Sequence, residues 1–117
     1  MEGYANVEQS KELAETLPIE SADMSWVSNG LGKPFARTIP IKGDPEELCA
    51  CWSLAALLKY LSEIKPQEYT PILYPSEGKW ISQFVEYGHG NVCEVSCDNP
   101  VDACYEMILK LNELNLL

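Results

Sequence analysis

The pattern of apolar and polar positions first predicts a short helix followed by a long irregular segment. Apolar residues recur at helical spacing over about residues 7–16, and Pro18 cannot continue a helix. Residues 18–43 then carry several glycines and prolines, which favour loops. We expect this segment to be mostly loop, with a short extended piece near residues 35–41.

A central helix is predicted over about residues 45–62. Asp44 can cap it, Pro45 suits the first helical position, and Glu47 completes a pattern similar to a capping box. Its interior, LCACWSLAALLKYL, is apolar on nearly every side. Such a helix packs on more than one side, so we expect it to form the core of the domain.

Three strands are predicted in the next part of the chain, over residues 69–74, 79–87 and 91–97. Turn-forming residues separate them at 75–78 and at 88–90. Alternate positions of the second strand carry the bulky rings, although neither side of it is cleanly polar. The short connections predict an antiparallel meander.

The last helix begins after Asn99 and Pro100, with Asn99 as its cap and Asp102 near its positive end. Its apolar stripe consists of Val101, Cys104, Tyr105, Ile108 and Leu111. The elements together predict one α+β domain over residues 1–117. We expect an α/β sandwich in which a small antiparallel meander of about three strands packs with two or three helices.

The composition is that of a folded protein, with 46% hydrophobic and 22% charged residues. The longest apolar run, around residues 54–58, is far shorter than the ~20 residues that cross a bilayer. The first residues lack the basic and then apolar pattern of a secretion signal. We therefore expect a cytoplasmic protein that is not bound to a membrane.

The net charge of −10 disfavours direct binding to nucleic acid, because carboxylates repel phosphates. An acidic surface can instead imitate DNA and inhibit a protein that binds nucleic acid. The carboxylates are scattered from Glu2 to Glu113 without a block of like charge, so a solvated acidic surface is the simpler interpretation.

The chain has five cysteines, an odd number, and we expect reduced thiols. A zinc site is one hypothesis, with candidate ligands Cys49, Cys51, Cys93, Cys97 and His89. The spacing argues against it, because Cys49 and Cys51 on a helix point about 200° apart. We expect no metal and no cofactor.

A second hypothesis is a small cysteine hydrolase. Cys51 is followed by Trp52, and the chain order Cys51, His89, then Asn99 or Asp98 resembles that of papain-type cysteine peptidases. The chemistry requires a Cys51 thiolate held by His89, with the third residue orienting the imidazole. Two turns inside a helix, however, the Cys51 sulfur would be buried, so core packing is the favoured interpretation.

Two segments, Cys51-Trp52-Ser53-Leu54-Ala55-Ala56-Leu57-Leu58 and residues 98–108 (DNPVDACYEMI), resemble a family of short proteins from bacteriophages, prophages and mobile elements of gut bacteria. The layout is similar to the phage ABA sandwich domain. The resemblance covers residues 7–25 and 48–117 and implies an α/β sandwich and a phage or mobile-element origin. It implies no catalytic residues.

We therefore expect a non-enzymatic accessory protein that binds another protein. Its acidic surface and the aromatic-bearing segment from Trp26 to Phe35 are the expected contacts. The loop from Ser25 to Gly43 has no counterpart in the resemblance, so a function particular to this chain is expected there. The sequence favours no particular partner or oligomeric state.

Overall fold

The computed structural model describes residues 3–28, 33–38 and 47–117. Within these ranges the chain forms three α-helices, one 3₁₀ turn and two three-stranded antiparallel sheets. The elements are α1 (Val7–Thr16), the 3₁₀ turn (Ile19–Ser21), β1 (Met24–Val27), β2 (Phe35–Arg37), β3 (Glu47–Cys51), α2 (Leu54–Ser62), β4 (Tyr69–Ser76), β5 (Lys79–Glu86), β6 (Gly90–Cys97) and α3 (Pro100–Glu113). The predicted α+β class is confirmed, and the sequence missed one of the two sheets.

The contacts divide the chain into two compact units, Glu2–Ala56 and Leu57–Leu117. The first unit contains α1 and the sheet with strand order β2-β1-β3. The second contains most of α2, the sheet β4-β5-β6 and α3. The single domain over residues 1–117 stays a prediction.

Helix α1 begins with a capping box. The Asn6 side chain accepts a hydrogen bond from the Gln9 backbone N–H at 2.8 Å, and the Gln9 side chain accepts one from the Asn6 N–H at 3.0 Å. The helix ends at Thr16, shortly before Pro18, and Leu13 on it is fully buried. The helix predicted over residues 7–16 is confirmed.

The segment before α1 extends the pairing of the first sheet. The Ala5 N–H donates to the Trp52 carbonyl at 2.9 Å, and the Leu54 N–H donates to the Gly3 carbonyl at 2.9 Å. The indole N–H of the buried Trp52 donates to the Ser21 hydroxyl at 2.9 Å. Hydrogen bonds of this kind satisfy the polar groups of a buried tryptophan.

The central helix predicted over residues 45–62 is wrong in its first half. Residues 47–51 form strand β3, and helix α2 begins only at Leu54. An unbroken apolar run has no period that separates a buried strand from a buried helix, and this ambiguity produced the error. The predicted cap, Asp44 with Pro45, lies outside the described residues.

Part of the segment predicted as loop is also strand. Residues 24–27 form β1, the central strand of the first sheet, and β1 pairs with both β2 and β3. The extended piece predicted near residues 35–41 is confirmed as β2 over Phe35–Arg37, and residues 39–41 lie outside the described ranges. Four residues among polar neighbours carry too little pattern to predict β1.

The predicted meander is confirmed, with strand order β4-β5-β6 and antiparallel pairing throughout. Glu77 and Gly78 form the two-residue turn between β4 and β5, with φ of 52° and 80°. Positive φ at both positions is typical of the type I′ turn, whose twist matches that of a hairpin. The turn places Ser76 opposite Lys79 and so sets the register of the pair.

Helix α3 begins as predicted. Asn99 is its N-cap, with the Asn99 Oδ1 accepting from the Asp102 N–H at 2.9 Å, and Pro100 follows in the first turn. Its buried residues are Pro100, Val101, Ala103, Cys104, Met107, Ile108 and Leu111. The predicted stripe is therefore confirmed except at Tyr105, which is half-buried.

Candidate functional site

The sheet β4-β5-β6 has two chemically different faces, because successive side chains of a strand point to opposite sides. On the inner face, Phe84 is fully buried and Ser82 is 2% exposed, and α3 packs against β5 and β6. We call the opposite side the open face. It consists of Thr70, Ile72, Tyr74 and Ser76 of β4, Lys79, Ile81, Gln83 and Val85 of β5, and Asn91, Glu94 and Ser96 of β6.

Apolar side chains make up much of the open face. Ile72 and Tyr74 on β4 are 39% and 38% exposed. Ile81 lies opposite Tyr74 on the central strand, and Val85 lies opposite Thr70. Val92, which is 37% exposed, is the extra residue of a bulge in β6 beside Val85. An apolar patch of this kind on a protein surface is typical of an interaction site.

A polar row crosses the middle of the open face. The Gln83 side-chain amide donates to the Tyr74 hydroxyl at 3.3 Å and to a Glu94 carboxylate oxygen at 2.5 Å. One residue from each strand thus takes part, with Gln83 in the centre. The row holds the Glu94 carboxylate toward the middle of the face, close to its apolar side chains.

Carboxylates surround this sheet. Between residues 68 and 98 the chain carries five carboxylates and a single lysine, Lys79. Lys79 forms an ion pair with Asp98 at one end of the sheet. The hydrogen bond between them raises the pKa of Lys79 and lowers the pKa of Asp98. With its lysine paired, the sheet carries an excess of negative charge.

Cys51, the nucleophile of the alternative hydrolase hypothesis, is the last residue of β3 and is fully buried. Its thiol donates to the Ala5 carbonyl oxygen at 3.5 Å. Burial, partly opposed by a hydrogen bond with Ser10, raises the pKa of Cys51 to about 11. A thiol with this pKa is protonated at neutral pH and is a poor nucleophile.

The other two residues of the hydrolase hypothesis lie in the second unit. His89 lies in the turn between β5 and β6 with its side chain 75% exposed, and its Nε2 is 3.8 Å from a Glu86 carboxylate oxygen. Asn99 uses both ends of its amide at the start of α3, since Nδ2 donates to Asp102 Oδ2 at 2.9 Å. The neighbouring Asp98 is paired with Lys79.

The cysteines considered as zinc ligands lie on strands rather than on a helix. Cys49 and Cys51 are two apart on β3, opposite Trp26 and Met24, so they share one face of that sheet. The angle of about 200° expected between the two thiols was therefore wrong, because it assumed that residues 45–62 form a helix. Among the described residues, no group of three or more His, Cys, Asp and Glu side chains is arranged to hold a metal ion.

The remaining thiols lie in the second unit. Cys93 and Cys97 share the inner face of β6, and the Cys93 thiol lies 3.2 Å from the Met107 sulfur. Burial raises the pKa of both, and it raises the pKa of Cys104 on α3 to about 12. These contacts are those of sulfur atoms that pack as apolar groups.

The aromatic segment expected to bind a partner divides into two parts of different character. Trp26 is half-buried and its indole N–H is bonded to the Ala5 carbonyl at 3.0 Å. Phe35 on β2 is 49% exposed. Residues 29–32, between them, lie outside the described ranges.

Sequence reasoning did not single out the open face. The alternation in β5 was visible, but the exposed residues Ile72 and Tyr74 of β4 share its open side only through the register of the hairpin. That register depends on the turn at Glu77 and Gly78. A two-residue type I′ turn at this position, if predicted from the sequence, would have given the register of β4 against β5.

Two further observations concern the class of the protein. In the part of the chain that the structure describes, no helix is long and apolar enough to span a membrane. Comparison with known proteins finds no matching family, no similar curated protein and no similar solved structure.

Proposed function

We propose that this chain is a non-enzymatic accessory protein that binds another protein, and that the open face is its binding surface. The observation that carries the proposal is the exposed apolar side of the sheet, with Ile72 and Tyr74 more than a third exposed. On the other side of the same sheet, α3 packs against β5 and β6. Removing the apolar area of the open face from water supplies the driving force for association.

The chemistry of the partner follows from charge. The chain has a net charge of −10, and residues 68–98, which form the sheet and its turns, carry five carboxylates against one lysine that is already paired. A partner with an apolar and positively charged surface complements this face, whereas an acidic partner is repelled. A second copy of the chain has the same negative charge and is disfavoured for that reason.

The proposal places the contact on the meander rather than on the segment from Trp26 to Phe35. The Trp26 indole is already bonded within the first unit. Phe35 is exposed and is a candidate for a secondary contact. The phage or mobile-element origin is part of the proposal and is supported by the sequence resemblance alone.

No specific observation favours either of the other two functions. A hydrolase needs a Cys51 thiolate, and burial of Cys51 opposes ionisation. A DNA mimic needs carboxylates in one elongated row. On the strands of the open face Glu94 is the one carboxylate, so this face carries no such row.

Site-specific photocrosslinking tests the proposal. Tyr74 on the open face and Leu114 at the end of α3 are both exposed, at 38% and 49%, and each is replaced separately by benzoylphenylalanine. The full-length variants are illuminated in a lysate of the cells that carry the gene. We expect the Tyr74 variant, and not the Leu114 variant, to form an adduct with one basic protein.

Competition gives the matched control. Unlabelled wild-type protein and the Ile19→Lys variant should suppress the adduct, whereas Ile72→Lys should not. Ile19 is 46% exposed in the 3₁₀ turn, so the two variants place the same change at similarly exposed isoleucines. Equal adducts from both positions, an adduct with a second copy of this chain, or no adduct would overturn the proposal.

A further inference from the structure

The dimensions of the open face define the size of what binds it. Each of its three strands has eight residues, which gives a length of about 27 Å, and three strands span about 14 Å across. A helix of about 18 residues is about 27 Å long and 10–12 Å in diameter. One helix lying along the strands therefore covers the face.

The same area is too small for a stable homodimer. A rectangle of those dimensions covers about 400 Å², roughly half of the ~800 Å² that each partner contributes to a standard interface. A single helix can bind to an area of this size, because it contacts a surface through one narrow apolar stripe. Size and charge thus both argue against a second copy on this face.

The sheet already accepts a helix on its other side. The 14-residue helix α3 packs on the inner face against β5 and β6, with its buried residues in one stripe. Met107 of this stripe contacts Cys93 of β6. A second helix on the open face would complete a three-layer arrangement in which both sides of the sheet are covered.

The polar row determines the charge pattern that the helix needs. Gln83 holds the Glu94 carboxylate toward the centre of the sheet at 2.5 Å. A lysine or arginine beside the apolar stripe of the helix can pair with Glu94 while leucines contact Ile72 and Ile81. A carboxylate at that position of the helix would be repelled.

We infer that the open face binds a basic amphipathic helix of its partner protein, aligned with the strands and with a cationic side chain over Glu94. This inference rests on the proposed function and adds the structural class of the partner. The partner helix buries leucine-like side chains on the apolar positions of the face, and its remaining positively charged residues face the carboxylates around the sheet.

Titration of the ¹⁵N-labelled full chain with designed peptides tests the inference. The probe is an 18-residue peptide with leucine at i, i+3, i+4 and i+7 spacing and lysine elsewhere. The control has the same composition in an order that lacks helical periodicity. We expect shifts confined to the open face and a dissociation constant about tenfold lower for the periodic peptide than for the scrambled one.

Variants distinguish the binding of a helix from the use of the open face as the binding surface. Glu94→Lys should weaken binding of the periodic peptide about tenfold, and Glu106→Lys, at an exposed position on α3, should not. Equal binding of both peptides at the open face would overturn the helix inference and leave the proposed surface intact. Shifts outside the open face, or no binding of the periodic peptide, would overturn the inference, and photocrosslinking at position 74 would still decide the proposed function separately.

Discussion

The indole N–H of Trp26 donates a 3.0 Å hydrogen bond to the main-chain carbonyl oxygen of Ala5. The same oxygen accepts longer hydrogen bonds, of 3.5 Å each, from the Cys51 thiol and the Ser10 hydroxyl. The ring of Tyr4 packs edge-on against Trp26, with centroids 5.7 Å apart. Donors from β1, β3 and α1 thus converge on one acceptor and fix the segment that precedes α1.

Replacing Trp26 by phenylalanine tests how much the contact between the Trp26 indole and the Ala5 carbonyl contributes to stability. Trp26→Phe keeps an aromatic ring but removes the shortest hydrogen bond to the Ala5 oxygen, and the smaller ring fills less space. We expect the free energy of unfolding in urea to fall by about 1–3 kcal/mol, from the lost hydrogen bond and the lost packing. Tyr87→Phe, at an exposed turn, should change it by less than about 0.5 kcal/mol. Equal effects would show that the indole contact is not stabilising.

The start of α2 gives a prediction whose sign distinguishes the observed boundary from the one expected from sequence. The Ser53 hydroxyl accepts from the Ala56 N–H at 3.1 Å, and the Asp23 carboxylate accepts from the Ser53 N–H at 2.9 Å. Ser53→Ala removes this cap, so urea unfolding should show a loss of about 1 kcal/mol. Within a helix over residues 45–62 the same change would stabilise by about 0.5 kcal/mol.

Ser62→Ala serves as the matched control at the other end of α2. The Ser62 hydroxyl is exposed and donates only to the Lys59 carbonyl at 2.7 Å. Its removal should change the free energy of unfolding by less than about 0.5 kcal/mol. A stabilising effect of Ser53→Ala would contradict the observed start of α2.

The two helix starts explain how far the sequence could predict the fold. At Asn99-Pro100 the cap, the proline and the amphipathic stripe all indicate the same boundary, and α3 begins there. In residues 45–62 the cap signal precedes an apolar run that is compatible with strand or helix. The choice depends on β1, whose Met24 and Trp26 lie opposite Cys51 and Cys49. A pairing partner more than twenty residues away cannot be read from local periodicity.

The candidate site was predictable only in part, for the same reason. The alternation in β5 separates Phe84 from Gln83, but the sequence alone does not show which side α3 covers. The open face arises because the hairpin aligns Ile72 with Gln83 and Tyr74 with Ile81. Cys51 and His89, by contrast, were noticed because of their chemistry, and the structure gives them a buried and an exposed environment respectively.

The buried thiols predict a loss of stability at alkaline pH. The pKa of Cys51 is raised by burial from 9.0 to about 11, and that of Cys104 from 9.0 to about 12. The unfolded chain therefore releases these protons first as the pH rises, and deprotonation favours unfolding. The free energy of unfolding should fall from about pH 9 upward, by as much as about 1.4 kcal/mol per pH unit for each thiol.

Urea unfolding between pH 7 and pH 11 under reducing conditions measures this slope, and Cys51→Ala with Cys104→Ala is the matched control. The double variant is less stable at pH 7 because it leaves cavities. Its further loss between pH 9 and pH 11 should nevertheless be smaller than that of the wild type. The same slope in both proteins would show that the two thiols are not responsible.

Because neighbouring residues of β5 lie on opposite faces of the sheet, their substitution should lower the stability by very different amounts. Phe84 is fully buried and stacks on Tyr69 with ring centroids 5.0 Å apart, whereas Gln83 lies on the open face. Phe84→Ala should lower the free energy of unfolding by about 3–5 kcal/mol, because it leaves a cavity beside α3. Gln83→Ala should lower it by less than about 1 kcal/mol, since its hydrogen bonds to Tyr74 and Glu94 are exposed to water.

If Phe84→Ala does not fold, Phe84→Leu, for which we expect a smaller loss of stability, gives the same comparison. Similar losses for Gln83→Ala and Phe84→Leu would mean that both faces are packed, and the open face would then be unavailable to a partner.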